Sequence, residues 1–226
     1  MGTIPDMLKA SLHLREPGRR ERSAMDQTKM RILSAAAKLF DIYGYKGTSV
    51  RKIAEEAQVN VALISYHFQG KQGVLETLMA SYFETLFRLV EEQEAAYSHV
   101  PARQRLEQVV GLYVQFHCEH ASITRLIQRE LSVESMLARE VMTLYMSRYK
   151  HGLAKVIESG MNTGDFQTVS VDRIVLAITS HIVYPFLHPQ MVRQVYELEP
   201  ASEDFARWLH RSIMEYLRVN LQSDTE

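Results

Sequence analysis

The sequence predicts an all-α protein, with an N-terminal three-helix domain containing a helix-turn-helix and a larger helical bundle behind it. Three observations carry this prediction. Apolar residues recur at three- and four-residue steps along most of the chain, with no convincing alternating strand pattern. Asn, Ser, Thr and Gly stand where helix ends need caps. With 46% apolar residues, 23% charged residues and only 10 Gly and 6 Pro in 226, the composition is ordinary and globular, which excludes disordered, collagen-like and disulfide-framework classes.

Residues 1–25 carry Pro5, Pro17, Gly18 and the basic cluster Arg19, Arg20 and Arg22, without the continuous apolar stretch of a secretory signal. They are expected to be a disordered basic tail, with Met25 as a second candidate start. From Thr28, the residues Ile32, Leu33, Ala36, Leu39, Phe40 and Tyr43 make one buried stripe, and Gly44 ends that helix. Thr48 or Ser49 caps a short second helix through Val50, Ile53, Ala54 and Ala57. Gln58, Val59 and Asn60 form a turn, and Asn60 caps a third helix from Val61 to about Phe68. Two short helices around a tight turn, buttressed by a preceding helix, place a DNA-binding domain at 26–72.

The remainder, 73–222, reads as a regulatory and dimerisation domain of successive helices: Val74 to Ala96, Arg103 to Glu119, Ser122 to Leu131, a long Ser135 to Gly160, Val171 to Leu187, a short piece after Pro189, and Ser202 to Leu221. Its longest mostly apolar run, Ile174 to Leu187, is too short for a bilayer core of about 30 Å. The single Cys118 suits a reducing cytosol, and a cytoplasmic, nucleoid-associated protein is expected.

Net charge is -1, unevenly shared. Residues 1–72 hold 12 Lys and Arg against 7 Asp and Glu, and the rest holds 14 against 20. A basic head on an acidic body fits a protein that meets a polyanion at one end. In the head, Thr48, Ser49 and Arg51 at a helix start form either a phosphate clamp or a solvated helix end. On the third helix, Ile64 and Phe68 face the core, leaving Val61, Ala62, Ser65 and Tyr66 outward. Small residues and a tyrosine there suit a close approach to a major groove, whereas Tyr66-His67 taken alone is more often packing. Lys71 is positioned to meet phosphate as a point charge.

The ordered string TSVRKIAEEAQVNVALISYHFQGKQGVL resembles the signature of the TetR family of bacterial DNA-binding regulators, through Thr48, Ile53, Ala54, Ala57, Val59, Ile64, Phe68 and Lys71. The resemblance implies DNA contacts at Ser49, Arg51, Val61, Ala62, Leu63, Ser65, Tyr66, His67 and Lys71; Thr48, from the clamp reading, and Asn60, at the start of the third helix, are expected to join them. It also implies a homodimer on a palindromic double-stranded site, paired through helices near the C-terminus. Interface residues are then expected at Ile178, Ile182, Phe205, Trp208, Leu209, Ile213 and Tyr216. Gln58 stands where the family usually has glycine, and Ser65 where it usually has tyrosine.

In the body, ITRLIQREL and YPFLHPQ resemble a narrower group within the family, the sporulation-associated RefZ-type regulators of cell division in Bacillus-type bacteria. That likeness implies binding to chromosomal sites and an effect on the division machinery, with the division protein FtsZ as a partner. The competing reading is a repressor released from its operator by a small-molecule effector held in the body.

His117, Cys118, Glu119 and His120 cluster, but without further ligands at suitable spacing they read as an ordinary polar helix end, and no metal or cofactor is expected. Gly-rich phosphate loops, HExxH, GxSxG and CxxC are missing from the sequence, so an enzyme is not expected.

Overall fold

The computed structural model describes residues 20–221, with side chains from Met25 onward. Among the described residues the regular structure is all helical, without a strand: α1 Arg20–Gly47, α2 Val50–Glu56, α3 Val61–Phe68, α4 Lys71–Ala96, α5 Ala102–Glu119, α6 Ala121–Leu131, α7 Met136–Val141, a π-helical segment Met142–Met146, α8 Ser147–Thr163, α9 Val171–Leu187, α10 Pro189–Val195 and α11 Glu203–Leu221. Residues 1–19 of the expected tail lie outside the described residues, whereas residues 20–25 form the start of α1, which corrects the tail's boundary.

The described residues form two compact units. The first runs up to Thr85 and adds Ser122–Glu130; the second is Leu86–Ala121 and the residues from Leu131 onward. The head therefore holds more chain than the 26–72 expected for it. Val74, Leu75, Leu78, Met79 and Tyr82 of α4 are buried, and the Tyr82 hydroxyl lies 2.8 Å from Thr124 Oγ1 of α6. Each fully buried side chain of this size contributes about 1.5–3 kcal/mol, enough to draw both segments onto a head too small to close its own core.

In the second unit α5 packs against α8 and α11, and α9 packs against α8, α11 and α5. Ile174, Ile178 and Ile182 of α9 and Phe205, Leu209 and Ile213 of α11 are all buried here. The α5 start is capped from a distance, the Asp165 carboxylate accepting the Ala102 N–H at 3.0 Å. The single helix expected from Ser135 to Gly160 is instead α7, the π segment and α8 in succession, opened by Ser135, whose Oγ accepts the Ala138 N–H at 3.0 Å. His117, Cys118 and His120 are buried, so they form part of the core rather than a polar helix end.

Candidate nucleic-acid interface

Gly44 breaks α1 at φ +74°, a left-handed backbone favourable to glycine, and turns the chain toward α2. Thr48 closes that turn. Its hydroxyl donates to the carbonyls of Gly44, at 2.9 Å, and Leu39, at 3.2 Å, and the residue is buried. Thr48 is thus a structural clasp, and its expected part in a phosphate clamp is corrected on that ground.

Ser49 caps α2, its Oγ accepting the Lys52 N–H at 3.2 Å, while Arg51 is exposed. Lys52 Nζ lies 4.8 Å from the Tyr43 ring centroid. Asn60 caps α3 through Oδ1, which accepts the Ala62 N–H at 2.9 Å. Ile64 and Phe68 pin α3 to the core, as the spacing predicts. The opposite face is open: Val61, Ala62, Ser65 and Tyr66 are exposed, Tyr66 by 74%. Leu63 and His67 are half-buried. Burial first, then the charge of Lys29, pushes the His67 pKa below the ordinary imidazole value, so the ring favours its neutral form, with the Tyr66 ring 4.9 Å away.

Lys71 is engaged within the fold. Its Nζ donates to the carbonyls of Tyr45, at 2.9 Å, and Thr48, at 2.8 Å, and lies 4.2 Å from the Tyr45 ring centroid. An ammonium so occupied fastens the start of α4 to the loop before α2, which revises its expected role as a free phosphate contact. Gly73, in the first turn of α4, lets that turn lie close against the end of α3, because a Cβ there would lie 1.8 Å from the Phe68 carbonyl oxygen.

The sequence does not disclose two further ties. Arg31 Nη2 donates to the carbonyls of Ala57 and Gln58, and Arg125 pairs with Asp41. Both depend on contacts between residues at least 26 positions apart, beyond the reach of local patterning.

Known families and relatives match this head and much of the chain behind it. The family described as "Bacterial regulatory proteins, tetR family" matches residues 32–78, and the family's "Tetracyclin repressor-like, C-terminal domain" matches residues 99–186. The probable HTH-type transcriptional regulator YttP of Bacillus subtilis is 32% identical over 191 residues, which cover 84% of this chain and 92% of that protein. The chain belongs to the TetR family. It is a TetR-type DNA-binding transcriptional regulator, and its relatives are regulators rather than enzymes. A TetR-family protein from Rhodococcus RHA1 shares the fold at TM-score 0.71 and 20% identity, over 87% of this chain and 98% of its own. The Bacillus subtilis regulator FadR, solved in complex with stearoyl-CoA, does so at TM-score 0.66 and 20% identity, over 83% of this chain and 96% of its own.

For this TetR-family chain the interface residues expected near the C-terminus need correction. Ile178, Ile182, Phe205, Leu209 and Ile213 are buried within the protomer, because their stripes pack α9 and α11 into the second unit. Of the expected set, Trp208 is 49% exposed and Tyr216 is half-buried. The apolar residues left outward on these two helices are Leu176, Tyr184, Trp208 and Val219. Among the described residues no helix is long and apolar enough to cross a membrane.

Proposed function

We propose that this regulator binds a palindromic duplex as a homodimer, α3 of each protomer lying in a major groove, and that the DNA-bound dimer acts on cell division in the RefZ manner. The observation that carries the DNA reading is the outward face of α3, small at Val61, Ala62 and Ser65 and ending in exposed Tyr66. Methyl groups there can meet thymine methyls, and the hydroxyls of Ser65 and Tyr66 reach base edges or phosphates. Arg51 and Ser49 supply backbone contacts that fix register. The exposed residues Leu176, Tyr184, Trp208 and Val219 support pairing of two protomers, which would set the two α3 helices about 34–36 Å apart on one face of the DNA.

The division role, with FtsZ as partner and the nucleoid as location, is supported by the likeness of ITRLIQREL and YPFLHPQ to RefZ-type regulators. Selection of genomic duplexes by the purified protein tests the DNA reading: enrichment of a palindrome occupied by two protomers is expected. Pelleting of FtsZ polymers with and without the DNA-bound protein tests the rest. Unaltered FtsZ assembly together with tight palindrome binding would leave a plain transcription regulator.

A second reading, release from the operator by a small molecule, is favoured by a buried aromatic and polar cluster in the second unit. Tyr113 and Tyr149 rings lie 4.4 Å apart, with His117 6.0 Å from the Tyr149 ring. The shared fold with FadR in its stearoyl-CoA complex agrees with that reading. A compound that raises the unfolding temperature and also weakens DNA binding would establish it, since an inducer must bind two states unequally.

A further inference from the structure

We infer that Arg31 is a positioning residue for operator reading: it brackets the turn between α2 and α3 and so fixes how the recognition helix leaves the head. The proposal rests on α3 being the DNA-reading helix. Gln58, in that turn, adopts φ +53°, a left-handed conformation that disfavours any side chain bearing a Cβ. Arg31 Nη2, reaching across from α1, donates to the carbonyl of Ala57 at 2.5 Å and to that of Gln58 itself at 2.7 Å. Both bonds are charge-assisted, and a guanidinium is favoured at the negative end of α2.

The bracket therefore grips the carbonyl of Ala57, the C-cap of α2, and that of the strained residue beside it. Two residues later Asn60 caps α3, so the backbone angles held by Arg31 set the direction in which Val61 and Tyr66 face. Lys38, seven residues further along α1, pairs with Glu56 at 2.6 Å, but that pair is exposed and contributes little. Arg31 does in this chain, with a side chain, what a turn glycine achieves through backbone freedom.

The test uses the full chain as Arg31→Met, Gln58→Gly and the double variant, titrated against the enriched palindrome and a scrambled duplex at two salt concentrations. Methionine keeps an apolar stem and removes the donors. Arg31→Met is expected to bind the palindrome about tenfold more weakly, with a smaller preference over scrambled DNA and an unchanged salt slope. Gln58→Gly alone is expected to match the parent, and the double variant to recover most of the loss, because the strain that needs the bracket is gone. A salt slope lower by about one, with equal losses on both duplexes, would make Arg31 a phosphate contact and overturn the proposal. A double variant as impaired as Arg31→Met, through weak binding or failure to fold, overturns it too. A parent protein that enriches no duplex defeats the DNA reading itself and takes the proposal with it, a result distinct from the other two.

Discussion

Asp41 near the end of α1 and Arg125 of α6 are 84 residues apart in sequence and form an ion pair inside the first compact unit. Their side chains are 25% and 28% exposed, so the pair is better shielded than the surface pairs of the molecule. It joins a segment that lies outside the helix-turn-helix in sequence to the helix that supports it. Removing one partner leaves a half-shielded charge, so Arg125→Ala is expected to destabilise the first unit by about 1–3 kcal/mol. The charge swap Asp41→Arg with Arg125→Asp should restore part of it. Urea unfolding of the single and double variants checks this; additive losses would remove the pair from the account of the head.

Lys71→Met is expected to lower stability by about 1–3 kcal/mol, since the carbonyls of Tyr45 and Thr48 lose their shared donor. Weaker DNA binding should follow on every sequence, with the salt slope unchanged. A slope reduced by about one would return Lys71 to the phosphate backbone.

The head was largely legible in the sequence because its signals are local. Asn60, Ser49 and Gly44 mark helix ends by short-range chemistry, and Ile64 and Phe68 mark the buried face by spacing. Thr48 and Lys71 are harder to read, because a polar side chain that serves carbonyls of the fold looks, along the chain, like one that serves a ligand. The α9 and α11 stripes were misassigned for a related reason. Periodicity identifies an apolar face, but does not say whether the face meets its own protomer or another. Nothing local in ITRLIQREL indicates that α6 belongs with the head, since Thr124 and Arg125 meet their partners 42 and 84 residues away.

The corrected faces predict separable effects. Ile178→Ala and Ile213→Ala should each destabilise the protomer by about 2–5 kcal/mol, as cavities in a packed core do. Leu176→Glu and Trp208→Glu should leave the protomer folded and weaken dimerisation about tenfold or more. Sedimentation beside thermal unfolding distinguishes the two classes; an unfolded Trp208→Glu protein would contradict the assignment.

Stability should fall in acid through His117. Burial lowers its pKa to about 4, with the Tyr113 carbonyl, 2.7 Å from Nδ1, opposing that shift and His120 adding to it. Because the folded pKa lies below the unfolded value, the neutral ring's contribution is complete above about pH 6.5 and is lost as pH falls toward about 4, to a total of roughly 3 kcal/mol. His117→Leu should flatten that part of the profile. Equal slopes for parent and variant between pH 7 and 4.5 would show that another group titrates.

The measurement that bears most directly on operator reading by α3 is a paired titration of the parent protein and Tyr66→Ala against the selected palindrome and a scrambled duplex at one salt concentration. If Tyr66 on the exposed face of α3 reads the operator, its loss costs about 1–3 kcal/mol more on the palindrome than on scrambled DNA. Equal losses on the two duplexes, or none on either, would contradict that reading.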